Sequence, residues 1–195
     1  MYWSQIAHLA HAGWEIASHS RDHRSIGNDS LKGPYSVLSA AELRDEICGS
    51  RVDLEVRYFP SPVTFIRPGN PNQNPLTERD MALARSCFSA IRLYNGNTPA
   101  KPSFNEFQPG SLQGLMSTHL RSYGELLSDV EELLASMGSR DWVIFAVHGV
   151  GHYLGGSVTI TPDDFQRVLA LIHKAQIPVL TLKEAMTALN RQSSD

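Results

Sequence analysis

Residues 13–23 read GWEIASHSRDH and place two histidines directly after a short apolar run. The run at 14–18 is typical of a strand, and Gly13 stands where a preceding amphipathic helix ends. His19 and His23 are four residues apart, so one helical turn in the loop would point both imidazoles the same way. Because imidazole is a good zinc ligand, this spacing is compatible with a metal site at a strand end, and also with two exposed loop histidines.

Strands and helices alternate on either side of this stretch. Apolar runs predict further strands at 63–66, 88–93, 142–147 and 179–182. Amphipathic spacing predicts helices at 1–13, 39–54, 76–86, 120–137, 162–175 and 183–190. Such alternation predicts an α/β fold in which helices surround a mostly parallel sheet, either open or closed into a barrel.

The predicted helix starts carry capping signals. Ser39 is followed three residues later by Glu42, which is the pattern of a capping box. Thr161 precedes a proline at the first helical position. Because the chain shows neither an internal repeat nor a low-complexity tract, residues 1–190 are predicted to form a single domain, followed by a polar tail at 191–195.

Size, composition and charge favour an ordinary globular protein. The 195 residues suffice for one domain with a sizeable core, and 42% of them are hydrophobic. The net charge of −3 gives no reason to expect nucleic acid or an anionic membrane as a partner. No apolar run reaches the roughly 18 residues that a membrane-spanning helix needs. No secretory signal is visible, and the compartment and oligomeric state stay open.

The chain has two cysteines, Cys48 and Cys87, which are too few for a disulfide framework. The sequence does not tell whether they pair. The general burial habit of cysteine favours two reduced, partly buried thiols.

Two further predicted strands end in side chains that bear on chemistry. Arg67 follows the run at 63–66 and precedes a Pro-Gly turn, where it could pin a carboxylate or be a surface arginine. His148 ends the run at 142–147 and could act as a general acid or base, or be a hydrogen-bonded core histidine. Sites in parallel α/β folds collect at the carboxyl ends of strands, so we expect both side chains near the histidine pair.

Taken together, these motifs resemble those of NodB-type polysaccharide deacetylases, carbohydrate esterase family 4. GWEIASHSRDH (13–23) resembles the second motif of the family, in which Gly-x-Glu-Ile precedes an HxxxH. FIRPGN (65–70) resembles the arginine-proline third motif with a tightened spacing, and IFAVHG (144–149) resembles the final histidine motif. ITPDDFQRVLALI (160–172) and VLTLKEAM (179–186) resemble the C-terminal helix and strand, so the resemblance covers essentially the whole chain.

The resemblance implies a distorted (β/α) barrel and metal-dependent removal of N-acetyl groups from amino-sugar polymers or oligomers. It implies that His19 and His23 are metal ligands, with zinc as the expected ion. Arg67 would orient the catalytic base, Asn70 would lie near the turn that supplies a backbone oxyanion donor, and His148 would protonate the leaving amine. The implied partner is an N-acetylated glycan and not a nucleic acid.

The first motif of the family supplies the catalytic base and an aspartate ligand from an Asp-Asp strand end, and the chain shows no counterpart to it. We therefore expect the first strands of the barrel to be missing, metal binding to be weak and turnover to be low or absent. We also expect the chain either to be less stable than a complete homologue or to need a partner. Two alternatives stay open: a related hydrolase of non-peptide C–N bonds in small amides, and a non-catalytic carbohydrate-binding barrel. Aromatic residues at 94–117 could stack on sugar rings or simply belong to a covering loop.

Overall fold

The computed structural model describes most of the chain, in separate stretches. These are residues 2–24, 26, 38–57, 59, 64–68, 77–92, 105–106, 113–115, 118–120, 122, 124–138, 141–151 and 159–192. The chain falls into two compact units. The first comprises Met1–Gly96, Pro109–Leu115 and Leu180–Asp195, and the second comprises Asn97–Gln108 and Met116–Val179. The single domain at 1–190 stays a prediction.

Helices provide most of the regular structure. The α-helices are α1 (Trp3–His11), α2 (Ala40–Arg44), α3 (Ser50–Glu55), α4 (Glu78–Cys87), α5 (Leu126–Ser136), α6 (Pro162–Lys174) and α7 (Leu182–Gln192), and a π turn, Asp45–Gly49, joins α2 to α3. The strands are β1 (Thr64–Ile66), β2 (Ala90–Arg92), β3 (Asn105–Glu106), β4 (Gln113–Leu115), β5 (Thr118–His119), β6 (Asp141–Trp142) and β7 (Phe145–Ala146). Within the stretches that the structure describes, no helix is both long and apolar enough to cross a bilayer.

The predicted capping box at Ser39 is confirmed and starts a continuous helical run. Ser39 Oγ accepts from the Glu42 amide at 3.3 Å, and Glu42 Oε2 accepts from the Ser39 amide at 2.9 Å. The run widens into the π turn and resumes as α3. Such a turn inside an α-helix is frequent at functional sites. Here it holds Ile47 and the carboxylate of Glu46 in the interior, at 1% and 2% exposure.

A parallel sheet in the order β1, β2, β4 lies in the first unit. Ser18 forms a one-residue parallel bridge to Phe65 on the edge of β1 that faces away from β2. In this bridge the Ser18 amide donates to the Thr64 carbonyl at 3.0 Å, and the Ile66 amide donates to the Ser18 carbonyl at 2.7 Å. The predicted strand at 14–18 is therefore reduced to its last residue.

The core of the first unit explains why its strands are visible in the sequence. The rings of Phe65 and Phe88 stack with centroids 5.3 Å apart, and Ile91 of β2 is fully buried. Parallel strands are covered on both faces, so they read as continuous apolar runs rather than alternating ones. The predicted strands at 63–66 and 88–93 are confirmed as β1 and β2.

The second unit is built around α5 and α6. Val130 of α5, Val168 of α6 and the preceding Ile160 are buried in one cluster. The predicted cap at Thr161 is confirmed, because its hydroxyl accepts from the Asp164 amide at 3.2 Å. In this unit β5 runs parallel to β7, and β3 runs antiparallel to β6. The strands of the described stretches do not close a barrel among themselves, and the distorted (β/α) barrel stays a prediction.

Two further predicted strands differ from the structure. The run at 142–147 becomes parts of β6 and β7, and the side chains of both strands are half-buried. The last strand predicted at 179–182 is wrong, because Val179 is 79% exposed and Thr181 caps α7. The Thr181 amide donates to Glu184 Oε2 at 2.8 Å, and Thr181 Oγ1 accepts from the Glu184 amide at 3.2 Å. This capping box satisfies the first amides of a helix, so the apolar run leads into a helix start instead of a sheet.

Cys48 and Cys87 form a disulfide, so the expectation of two reduced thiols is wrong. Cys48 lies in the π turn and Cys87 ends α4, with their Cα atoms 5.7 Å apart. Arg51 supports the same junction, because its Nη1 donates to the Cys87 carbonyl oxygen at 2.6 Å. The two cysteines pair because α4 packs on the helical run that starts at Ser39. The average burial of cysteine carries no information about this packing.

We expect loss of the disulfide to lower the free energy of unfolding by about 4 kcal/mol, since the bond closes a loop across 39 residues of the unfolded chain. The double variant Cys48→Ser/Cys87→Ser should therefore unfold at lower urea concentration than the wild type. A reductant should shift the wild-type midpoint to that of the variant and leave the variant unchanged. Equal midpoints for the oxidised wild type and the variant would contradict the pairing.

Candidate metal site

His19 and His23 lie side by side on the surface of the first unit. Their ring centroids are 4.9 Å apart and the ring planes meet at 77°. The single helical turn expected from the spacing is absent from this loop. Ser20 and His23 instead adopt left-handed backbone conformations, with φ of 66° and 56°, and the His23 amide donates to Ser20 Oγ at 3.0 Å. Left-handed conformations of residues other than glycine are uncommon, so the contacts around the loop must hold them in place.

The bridge to β1 orients His19. Its Nδ1 lies 2.8 Å from the carbonyl oxygen of Ile66. Because a carbonyl oxygen only accepts, Nδ1 carries the hydrogen in this contact, and in a neutral imidazole the lone pair is then on Nε2. A backbone carbonyl bonded to one ring nitrogen is the usual partner of a histidine that binds metal through the other. The hydrogen bond to Ile66 therefore sets the orientation of the His19 ring.

A buried serine pair fixes the residue before His19. Ser50 of α3 donates its hydroxyl hydrogen to the Ile47 carbonyl at 2.7 Å. The Ser18 hydroxyl lies 2.6 Å from Ser50 Oγ, and Ser18 must be the donor because the Ser50 hydrogen is already used. The end of the bridge is thus tied to the helical run as well as to β1.

Glu46 of the π turn holds the rest of the loop. Its Oε2 accepts from the Asp22 amide at 3.2 Å and from the Arg24 amide at 3.4 Å. Its backbone carbonyl accepts from the Arg21 amide at 3.1 Å. Sequence reasoning missed Glu46. The available signal was an acidic residue on the apolar face of a predicted amphipathic helix, three residues after Leu43 and beside Ile47.

Two arginines in the loop are paired with carboxylates on the helical run. Arg21 contacts Asp45 through Nη1 at 2.5 Å and Asp53 through Nε at 2.9 Å. These hydrogen bonds, that to Asp45 first, raise the pKa of the Arg21 guanidinium. Arg24 Nη2 contacts Glu42 Oε1 at 3.0 Å. Because both positive charges are balanced locally, they repel a cation at the histidines less than unpaired arginines would.

Arg67 is buried at the carboxyl end of β1, so the alternative of a surface arginine is wrong. Its amide donates to the Arg92 carbonyl at 3.0 Å, and its Nη2 donates to the Ile26 carbonyl at 3.0 Å. Burial lowers the pKa of the Arg67 guanidinium, and the negative charge of Asp80 opposes that effect. The bridge places His19 and Arg67 after neighbouring chain segments of one sheet, as expected for strand ends.

The other two predicted site residues are not part of the described surroundings of this pair in the first unit. His148 belongs to the second unit, where it follows β7 and is exposed, so the alternative of a core histidine is wrong. Asn70 lies outside the described residues. The aromatic residues of the 94–117 loop, Tyr94, Phe104 and Phe107, lie outside them too.

The residues of this site fit a divalent cation in part. Two neighbouring imidazoles, one of them oriented by a carbonyl, are a suitable pair of zinc ligands. A catalytic zinc site takes three protein ligands, and no cluster of three His, Cys, Asp or Glu occurs within the stretches that the structure describes. If zinc binds here, the described residues would supply two of the three ligands.

Comparison with known proteins gives no match to a family model, a curated protein or a solved structure.

We expect Glu42 to stabilise the helical run in a pH-dependent way. Hydrogen bonds from the Ser39 amide and hydroxyl, and then from Arg24, lower the pKa of Glu42 to about 2. Its stabilising effect is therefore complete above its ordinary pKa of 4.5 and is lost as the pH falls towards 2. In thermal unfolding, Glu42→Gln should be less stable than the wild type at pH 7, and the gap should narrow below pH 4.5.

The matched control is Glu131→Gln, which removes an exposed carboxylate from α5. It should not reproduce the narrowing seen for Glu42→Gln. A gap for Glu42→Gln that stays constant from pH 7 to pH 3 would show that the carboxylate is not what stabilises the helix start.

Proposed function

We propose that this protein is a metal-dependent hydrolase of the NodB polysaccharide deacetylase type, which removes N-acetyl groups from amino-sugar polymers or oligomers. The observation that carries the proposal is the pair of His19 and His23, with ring centroids 4.9 Å apart and Nδ1 of His19 bonded to the Ile66 carbonyl. The order of the motifs along the chain adds support, since the histidine pair is followed by Arg67 and then by His148.

The proposed chemistry is hydrolysis of an amide. When bound, a divalent ion such as Zn²⁺ supplies an activated water and polarises the acyl oxygen. In the proposal Arg67, a buried cation, would orient a carboxylate base, although the sequence shows no counterpart to the Asp-Asp strand end that supplies this base in the family. His148 would protonate the departing amine. Asn70 would lie near the turn that is proposed to supply a backbone oxyanion donor.

We expect the chain to bind Zn²⁺ or Co²⁺ through the histidine pair. Isothermal titration of the metal-free protein should show binding that His19→Ala and His23→Ala each weaken by more than about 10-fold, because loss of a ligand costs at least as much as loss of a supporting group. His11→Ala is the control, since His11 is also exposed and its Nδ1 is also bonded to a backbone carbonyl, that of Ala7, at 2.7 Å. Equal weakening by His11→Ala would mean that the metal binds histidines unspecifically.

We expect the zinc-loaded protein to release acetate from N-acetylglucosamine oligomers. His148→Ala should lower kcat by about 10²- to 10⁴-fold while zinc affinity is unchanged, because a general acid acts in the transition state and not in metal binding. A panel of test compounds that includes small cyclic amides and fully deacetylated oligomers distinguishes the deacetylase from the two alternative functions. Hydrolysis of the cyclic amides alone would show that the substrate is a small amide. Binding of oligomers without release of acetate would show that the protein is a carbohydrate-binding module and not an enzyme.

A further inference from the structure

The buried carboxylate of Glu46 has no role in the proposed chemistry. It is 2% exposed, although glutamate is almost never fully buried without a partner. Its partners are backbone amides of the histidine loop, since Oε2 accepts from Asp22 at 3.2 Å and from Arg24 at 3.4 Å. These two residues are the chain neighbours of His23 on either side. One oxygen atom thus holds both ends of the short segment that carries the second histidine.

The two histidines are held by different contacts. His19 is oriented through its own ring by the Ile66 carbonyl, and the bridge at Ser18 fixes its backbone. His23 has a left-handed backbone, with φ of 56°, and its amide bonds only locally, to Ser20 Oγ. A non-glycine residue keeps that conformation when surrounding contacts impose it. The amides on either side of His23 that bond to Glu46 provide such contacts.

Glu46 is itself held rigidly. Ile47 lies next to it in the core, and the disulfide at Cys48 ties the same π turn to α4. Its own carbonyl receives the Arg21 amide at 3.1 Å, so main chain and side chain of Glu46 both contact the loop. A carboxylate fixed in this way is suited to set the position of the segment that it bonds.

We propose that Glu46 is a positioning residue that holds His23 against His19, so that both imidazoles reach one cation. This inference deepens the proposed function and rests on it for the metal. Glu46 acts through the Asp22 and Arg24 amides and touches neither the cation nor a substrate.

The test compares two variants of similar side-chain size. Glu46→Gln keeps an oxygen that can accept from both amides, whereas Glu46→Met fills the space without an acceptor. In NMR spectra of the metal-free protein, an Overhauser effect between the His19 and His23 rings should be present in the wild type and in Glu46→Gln and lost in Glu46→Met. Co²⁺ affinity should fall by about 10- to 100-fold in Glu46→Met and stay within about 3-fold of the wild type in Glu46→Gln.

Rescue by glutamine separates positioning from packing, since a role in packing alone would leave the methionine variant like the wild type. A ring-to-ring effect that persists in a folded Glu46→Met overturns the inference. If Glu46→Met does not fold, hydrogen exchange of the Asp22 and Arg24 amides provides the test. Amides that are unprotected in the wild type would overturn the inference. Amides that are protected both in the wild type and in Glu46→Gln would support it. The wild type could fail to bind Co²⁺ while the ring-to-ring effect is still present in the wild type and Glu46→Gln and lost in Glu46→Met. That result would overturn the metal function and support the positioning of His23 by Glu46.

Discussion

The parallel bridge between Ser18 and Phe65 determines where the candidate site lies in the first unit. It sets the histidine loop at the carboxyl end of the sheet, so that the residue after the bridge, His19, reaches the carbonyl of Ile66. It also places His19 after a segment that neighbours the one leading to Arg67. The two motifs are far apart in the sequence, so without those two backbone hydrogen bonds they would share no edge of the sheet.

Glu15 connects this edge to the C-terminal helix. One of its carboxylate oxygens accepts from the Thr64 hydroxyl at 2.6 Å, and the other accepts from the Lys183 amide in the first turn of α7 at 2.9 Å. A carboxylate at a helix start satisfies a free amide and complements the helix dipole. The acidic residue of the GWEI stretch therefore connects the bridged edge of β1 to the start of α7.

The histidine loop combines an unfavourable backbone with many compensating contacts. Left-handed residues of this kind each cost on the order of 1–3 kcal/mol, and here they are opposed by the buried Glu46 carboxylate and the Ser18–Ser50 hydroxyl pair. All of these contacts come from one helical run, which a disulfide ties to α4. A loop with this support keeps two imidazoles adjacent before any cation arrives, which lowers the entropy cost of binding.

The sequence by itself determined the features that depend on near neighbours. The caps at Ser39 and Thr161, the apolar strands of the sheet and the four-residue spacing of the histidines all follow from side chains a few positions apart. Tertiary structure decided the rest, including the left-handed loop, the disulfide and the burial of Glu46. Their partners lie far away in the chain, as in the separation of 47 positions between His19 and Ile66, and local propensity carries no information about such contacts. At Thr181 the local signals themselves conflict, because the apolar run predicts a strand whereas the capping box favours a helix start, and the helix forms.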